Sequence, residues 1–459
     1  MEFDLEIYRD ELKANDTPLA MYDGASDHYR MIPASLDPLI IEDAVWAPIV
    51  ETTQIALKSM NAIVALWQRP EYAQRAASIC SELSPFEKST LIPGYSTALA
   101  TARFDLFFDG AENGLKIIEA NTTIPAMQAY SDIVRGAWLK AAGRSDLKNP
   151  NTDDLLQSLL FLYHSHKDDR RPQQPRIAIV ARAGDSQITE LKFLKAHWQK
   201  QGYETRIVQP DSLKIQGQHL VDRSTKEPYD LLYRHIFASR LDPASDFARA
   251  LLQNQTFQIY NPLAAHLEIK ALLAELSHYA GSDRLSSQIG LLPRERDLLQ
   301  RSLPWTRILQ KAASREEREE WKSLEASDYV IKSSSGYGGH SVFIGSEFHL
   351  PESQSRLQKL MKRSDRIDWT DFIDFCAAES NGVWIIQRRL QGRRMKHAFL
   401  YDNVSEQESY VDASIFAWAH SVPHGGASRF ALDPIVNLGR GGGLMPMFLR
   451  SEYDALFTK

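Results

Sequence analysis

Four charged or polar residues recur at alternating positions between residues 101 and 123. The segment reads Thr-Ala-Arg-Phe-Asp-Leu-Phe-Phe-Asp-Gly-Ala-Glu-Asn-Gly-Leu-Lys-Ile-Ile-Glu-Ala-Asn-Thr-Thr, which predicts a β-hairpin around a glycine-bounded turn. With the turn centred on Glu112, Asp105 lies opposite Glu119. The same register sets Arg103 opposite Asn121, and side-chain period two places all four residues on one face. The other face is expected to carry Phe104, Leu106, Phe108, Ile118 and Ala120.

This polar face offers the chemistry of a metal site. Carboxylates directly opposite each other on a sheet repel, so Asp105 and Glu119 need a compensating cation. Their oxygens and the Asn121 amide carbonyl are hard ligands, the type that binds Mg²⁺ together with nucleotide phosphates. Arg103 is suited to neutralise charge on a transferring phosphoryl group. The alternative interpretation is a solvated hairpin face in which Arg103 pairs with a carboxylate.

A glycine- and serine-rich stretch lies between two short apolar runs, at residues 329–331 and 342–344. Glycines let backbone N–H groups approach phosphates, hydroxyl side chains add donors, and Lys332 supplies a positive charge. The stretch is not a P-loop, because it lacks Gly-Lys-Ser/Thr and a following helix, and a structural hairpin tip is the alternative. The candidate phosphate contacts are Lys332, Ser333, Ser334, Ser335, Gly336, Gly338 and Gly339.

Two further segments each contribute one candidate. Residues 261–276 predict a helix that opens near Pro262 and carries Lys270 in its body, where a lone lysine is normally exposed to solvent. Residues 383–390 predict an apolar strand that ends in Gln387, whose amide can pair with the edge of a base.

The elements that must position these residues follow from apolar spacing elsewhere. Apolar residues recur at helical intervals over residues 45–67, so the first hundred residues are expected to be mainly helical. Residues 164–175 are charged and rich in Gln and Pro, which is typical of an exposed linker. After this linker, residues 176–181, 190–201 and 205–208 predict a βαβ unit.

A strand at residues 230–233 extends this unit, and Arg234 follows it. Ligands of open α/β sheets gather at such strand ends, so Arg234 is a candidate contact for an acidic substrate or phosphate; a structural ion pair is the equal alternative. We therefore expect an α/β protein of three parts. These are a helical segment with the hairpin at 1–165, a small Rossmann-like domain at 171–260, and the lysine- and glycine-bearing part at 261–459.

Composition limits the class of protein. The 459 residues carry 53 Lys and Arg against 59 Asp and Glu, and the net charge of −6 does not favour nucleic acid as a partner. Cys80 and Cys376 are the only cysteines, so a disulfide framework is not expected. The sequence shows neither a secretory signal nor a long apolar run, and we expect a cytoplasmic protein with no membrane contact.

Together these residues resemble the circularly permuted ATP-grasp ligases, which include the synthetase half of glutathionylspermidine synthase. In that family an Arg-x-Asp precedes a Glu-x-Asn, matched here by Arg103, Asp105, Glu119 and Asn121. The resemblance implies that the last three bind Mg²⁺ and that the arginine contacts the transition state. It also implies a pre-ATP-grasp-like identity for the small parallel α/β domain.

The later motifs match in the same order. The family has one ATP-binding lysine after an Asn-Pro motif, resembling Asn261, Pro262 and Lys270, and a second before the glycine loop, resembling Lys332. Gln387 corresponds to the position that contacts adenine.

The resemblance implies an ADP-forming ligase that uses ATP and Mg²⁺ to join a carboxylate to an amine through an acyl phosphate. Both substrates are expected to be small molecules, with amino acids, peptides and polyamines as candidates; the oligomeric state is left open. The alternative is a non-catalytic nucleotide-binding or assembly protein built on a ligase fold.

Overall fold

The structure is a computed structural model that describes residues 3–14, 17–109, 114–144, 150–166, 171–310, 314–336 and 341–457. In chain order its α-helices are α1 (Leu5–Leu12), α2 (Asp43–Trp67), α3 (Ala73–Ile79), α4 (Pro85–Lys88), α5 (Gln128–Ala141), α6 (Pro150–Ser165), α7 (Ile188–Lys200), α8 (Asp246–Leu251), α9 (Asn254–Phe257), α10 (Lys270–Ala280), α11 (Asp283–Gln288), α12 (Pro293–Ser302), α13 (Arg315–Ser323), α14 (Pro351–Met361), α15 (Trp369–Ala377) and α16 (Arg450–Phe457). None of these described helices is both long and apolar enough to cross a membrane.

The strands are β1 (Ala20–Asp23), β2 (His28–Met31), β3 (Ala34–Ser35), β4 (Leu39–Ile41), β5 (Thr101–Asp109), β6 (Gly114–Asn121), β7 (Ile177–Ala181), β8 (Thr205–Val208), β9 (Leu213–Gln216), β10 (His219–Asp222), β11 (Pro228–Tyr229), β12 (Leu231–His235), β13 (Ile259–Tyr260), β14 (Thr306–Leu309), β15 (Tyr329–Ser333), β16 (Val342–Ile344), β17 (Trp384–Arg388), β18 (Arg393–Leu400), β19 (Val404–Trp418), β20 (His424–Ala431), β21 (Gly443–Met445) and β22 (Met447–Leu449).

A seven-stranded sheet in the order β18-β3-β21-β20-β19-β5-β6 contains the predicted hairpin, and β18 also pairs with β19. One face of this sheet packs against α2, α10 and α12 through an apolar cluster that includes Ile63, Phe104 and Leu272. Burying such side chains is the main force that fixes the sheet against its helices. The other face, near the start of β5, packs against α5 and α6 through a second cluster that includes Tyr130 and Phe416.

A four-stranded antiparallel sheet in the order β14-β17-β15-β16 carries the glycine-rich segment. Its own core is aromatic, with Phe343, Phe372 and Trp384 in mutual contact. The predicted strands on both sides of the glycine-rich stretch are present as β15 and β16. Lys332 lies in β15 and Gln387 lies in β17.

The predicted βαβ unit is present as β7, α7 and β8, in a four-stranded parallel sheet of order β13-β12-β7-β8. The N-terminal hundred residues differ from the expectation in part. Helix α2 is there, but four short strands precede it, and β3 completes the seven-stranded sheet by pairing with β18 and β21. Strands this short lack a periodicity that sequence inspection can detect.

The helix predicted to carry Lys270 in its body instead begins at Lys270. The preceding residues 265–267 form a 3-10 turn. The backbone N–H of Lys270 donates to the Ser334 carbonyl at 3.0 Å, and Ser334 Oγ accepts from the N–H of Ala271 at 3.1 Å. Partners outside the helix therefore satisfy its first donors, as a helix N-terminus requires.

Candidate functional site

The hairpin has the register predicted from its sequence up to Asp105. Asp105 pairs with Glu119 and Arg103 with Asn121. A β-bulge then follows, so that Leu106 faces Ile117 instead of Ile118. The prediction for Ile118 was therefore wrong: Ile117 takes the fully buried place, and Ile118 lines a cleft on the polar side. The turn at residues 110–113, including Glu112, lies outside the described residues.

The polar face of β5 and β6 opposes the four-stranded sheet across an open cleft. The predicted residues that line the cleft are Arg103, Asp105, Glu119, Asn121, Lys270, Lys332, Ser333, Gly336 and Gln387. The cleft thus brings together candidates from three distant parts of the chain.

Asp105 is almost completely buried and is held by two arginines. Arg103 Nε donates to one carboxylate oxygen at 2.7 Å, and Arg429 Nη2 donates to the other at 3.0 Å. Arg103 Nη2 at 3.2 Å and Ser414 Oγ at 3.0 Å also donate to this carboxylate. Burial alone would raise the pKa of Asp105, but the two guanidinium groups outweigh it and hold the pKa well below its usual range. Asp105 is therefore a carboxylate at neutral pH.

Sequence inspection missed Arg429 and its partner Asp412. The two residues are opposite each other on β20 and β19, and Arg429 Nη2 donates to Asp412 at 2.5 Å. Burial raises the pKa of Asp412 to about 6, although Arg429 opposes the shift. The signal was an aspartate in the mainly apolar run of residues 411–417, because a charge buried in such a strand requires a partner.

Lys270 joins the hairpin to the glycine-rich segment. Its Nζ lies 2.9 Å from Glu119 Oε1 and donates to the Gly336 carbonyl at 2.6 Å. Lys332 is also buried, and its Nζ donates to Gln387 Oε1 at 2.7 Å. Burial lowers the pKa of Lys332 to about 8. Two amino groups therefore lie on the side of the cleft formed by the glycine-rich segment.

Other predicted residues lie outside the cleft lining. Ser334 is buried against the start of α10, where it satisfies backbone donors, and Ser335 Oγ donates to Glu82 at 3.1 Å. Gly338 and Gly339 are outside the described residues. Ser334 therefore caps α10 and Ser335 pairs with Glu82, and phosphate contact by either residue stays a prediction.

Arg234 is fully buried and does not line this cleft. Its guanidinium donates to the backbone carbonyls of Asn261 at 2.8 Å, Ile236 at 2.6 Å and Pro262 at 2.7 Å. The structure therefore replaces both sequence interpretations, substrate contact and ion pair, with a third, in which Arg234 fixes the backbone around the Asn-Pro motif.

The Asn-Pro motif in turn holds the hairpin. The Asn261 amide accepts from the N–H of Ala100 at 2.8 Å, and it donates to the carbonyls of Thr101 and Thr122, both at 2.8 Å. It thereby joins the start of β5 to the segment that follows β6. Glu268 makes a second connection to the segment after β6. Its carboxylate accepts a hydrogen bond from the N–H of Thr122 at 2.9 Å and another from the next backbone N–H.

The hairpin donors fit a hard divalent cation. Asp105 and Glu119 supply carboxylate oxygens from neighbouring strands, and Asn121 supplies an amide carbonyl on the same face. Within the described ranges, no group of three or more His, Cys, Asp and Glu side chains is arranged to hold a metal ion. Two carboxylates and one amide are a partial set of the kind that Mg²⁺ completes with phosphate oxygens and water.

Comparison with known proteins identifies the fold. The chain is similar to the solved apo structure of a glutathione synthetase-like effector (GSS30) from Globodera pallida, with a TM-score of 0.60 and 12% sequence identity. The match covers 97% of this chain and 96% of that chain. No protein-family model and no curated protein matches. The chain therefore has a mixed α/β fold like that of a glutathione synthetase-like protein.

Proposed function

We propose that the protein is an ATP-dependent, ADP-forming carboxylate–amine ligase that makes an amide or peptide bond through an acyl phosphate. The observation that carries this proposal is the convergence in one cleft of two hairpin carboxylates, Asp105 and Glu119, with two lysines from another part of the chain. Phosphoryl transfer depends on alignment and charge neutralisation more than on a protein nucleophile, which agrees with this set of groups.

Each residue has a role in this proposal. Asp105, Glu119 and Asn121 would hold Mg²⁺, which when bound neutralises phosphate charge and aligns the transferring group. Lys270 and Lys332 bind phosphate oxygens. Ser333, Gly336 and Gln387, which also line the cleft, contact the nucleotide in this proposal. Arg103 is positioned by Asp105 to stabilise charge on the transferring phosphoryl group, and Arg429 fixes Asp105 from the other side.

The order of these groups along the chain supports membership of the circularly permuted ATP-grasp ligases. The hairpin at residues 101–121 comes first, Lys270 and Lys332 follow, and Gln387 comes last. We accordingly assign the hairpin part to residues 1–165, the pre-ATP-grasp-like domain to 171–260, and the nucleotide-binding part to 261–459 in this proposal. The proposed substrates are a small carboxylic acid and a small amine.

The test is to incubate the protein with MgATP and pooled amino acids, small peptides and polyamines, and to record ADP, AMP and new product masses by mass spectrometry. We expect ADP together with a new mass. The Asp105→Ala variant should form neither. Asp109→Ala is the matched control, since Asp109 lies on the same strand and pairs with Lys116 at 3.5 Å outside the cleft.

Other products of this experiment distinguish the alternatives. AMP in place of ADP would indicate adenylation of the acid and contradict the proposed mechanism. Full activity of the Asp105→Ala protein would remove the metal site from the proposal. Tight binding of MgATP without turnover of any pool would favour a non-catalytic nucleotide-binding or assembly protein.

A further inference from the structure

The cleft that would receive Mg²⁺ is strongly positive. Among the described residues that line it, two are carboxylates, Asp105 and Glu119, and six carry basic side chains: Arg103, Lys270, Lys332, Arg388, Arg389 and Arg429. The whole chain has a net charge of −6, so this positive charge is local to the cleft. Such a field attracts a polyphosphate and repels a free divalent cation.

The two carboxylates are already paired with basic side chains. Arg103 and Arg429 bind Asp105 at 2.7 and 3.0 Å, and Lys270 Nζ lies 2.9 Å from Glu119. The ammonium group of Lys270 occupies one carboxylate oxygen, Oε1, of the proposed metal ligand Glu119. A metal ion must therefore compete with Lys270 for this ligand.

We propose that Lys270 is an internal counter-ion of Glu119, which a nucleotide displaces, so that the divalent cation enters the cleft only together with the triphosphate. This inference rests on the proposed function. A free cation would have to separate a partly buried ion pair and enter a positive cleft. A triphosphate gives the ammonium group of Lys270 a new partner and brings negative charge that offsets the basic side chains.

The position of Lys270 suits this exchange. It is the first residue of α10, and its ammonium group contacts both Glu119 on β6 and the Gly336 carbonyl at the glycine-rich segment. The ammonium thus lies between the proposed metal ligands and the proposed phosphate contacts. A change of partner from carboxylate to phosphate requires rotation of one flexible side chain and no movement of a sheet.

The proposal predicts effects of opposite sign for one substitution. Replacing Lys270 with methionine removes the competitor for Glu119, so the affinity for a metal ion alone should rise. The same change removes a phosphate contact, so the affinity for a nucleotide should fall. A residue that only maintains the shape of the cleft would weaken both.

The experiment measures Mn²⁺ binding by electron paramagnetic resonance, with and without the ATP analogue AMP-PNP, for the wild-type protein, Lys270→Met and Arg388→Met. Arg388→Met removes the same charge from the same cleft, and Arg388 is an exposed residue. For Lys270→Met we expect Mn²⁺ affinity without nucleotide to increase about tenfold over both other proteins. AMP-PNP affinity of that variant should fall about tenfold or more. Circular dichroism checks that Lys270→Met folds. If it does not fold, the Lys270→Gln variant takes its place.

The results separate the two proposals. If Lys270→Met binds Mn²⁺ no more tightly than Arg388→Met, or if the wild type binds Mn²⁺ equally well without AMP-PNP, the counter-ion role is overturned. If the wild type binds no AMP-PNP while Lys270→Met still gains Mn²⁺ affinity, the pairing of Lys270 with Glu119 holds, but its displacement by a nucleotide and the proposed function both fail.

Discussion

Arg429 joins two buried carboxylates beneath the cleft. It is buried and donates to Asp412 and Asp105, which come from different strands of the seven-stranded sheet. Without this guanidinium the buried Asp412 would lose its ion-pair partner, and Asp105 would keep only Arg103 and Ser414. Arg429 therefore supports both the stability of the sheet and the ionised state of Asp105.

Replacing Arg429 with alanine should accordingly destabilise the protein. We expect a loss of about 3–5 kcal/mol in the free energy of unfolding, since the change breaks a buried ion pair and leaves its partner carboxylates behind. Urea unfolding at pH 7.5 measures this loss. Arg388→Ala is the control, because Arg388 is exposed in the same cleft and should change stability by less than about 0.5 kcal/mol. Equal stability of both variants would contradict the buried network.

The lowered pKa of Lys332 predicts how the affinity for a nucleotide depends on pH. Burial lowers its pKa to about 8, so the side chain is mostly charged at pH 7 and mostly neutral at pH 9. A polyphosphate binds the charged form better, and the affinity for AMP-PNP should fall as the pH rises through about 8. Calorimetric titration from pH 6.5 to pH 9.5 measures the decline. Lys332→Arg should remove it, because arginine stays charged throughout; an unchanged pH profile would argue against Lys332 as the titrating group.

At the scale of elements, the hairpin was predictable in part. Its alternation set the pairing of Asp105 with Glu119, which the structure contains. The bulge after Asp105 was not predictable, because it depends on how both strands fit the rest of the sheet, and it moved Ile118 to the cleft. The same limit applies to α10, because its start is set by Ser334, which directly follows the distant strand β15.

Glu268 connects two elements of the site, the segment after β6 and the start of α10. In Glu268→Ala the N–H groups of Thr122 and Thr123 lose their buried acceptor. We expect a loss of about 1–3 kcal/mol in stability and faster amide exchange over residues 121–127. Hydrogen–deuterium exchange with mass spectrometry locates the effect.

A matched control lies in α10. Glu275 is also a buried glutamate, but it pairs with Arg75 instead of with the segment after β6. Glu275→Ala should lower stability without selective exchange over residues 121–127. If both variants speed exchange in that segment to the same extent, Glu268 does not connect the segment after β6 to the start of α10.

At the scale of the whole molecule, the site depends on contacts that no local pattern contains. Arg429 and Asp105 are 324 positions apart, and Asn261 binds backbone 160 positions earlier. The parallel βαβ unit was predictable because its strands and helix are consecutive in sequence. The seven-stranded sheet was not, since β3 joins strands from the C-terminal quarter of the chain. Long-range pairing of short strands leaves little trace in apolar periodicity.

In the proposed function, the assembled cleft activates a carboxylate by transfer of the γ-phosphate of ATP. The most direct test uses pooled amino acids and small peptides whose carboxylates are labelled with ¹⁸O, incubated with MgATP and amines. Attack of a carboxylate oxygen on phosphorus, followed by amide formation, leaves that oxygen on inorganic phosphate. We predict one ¹⁸O in the phosphate released with each new amide, and none with Asp105→Ala. Label in AMP, or unlabelled phosphate beside a new amide, would contradict the account.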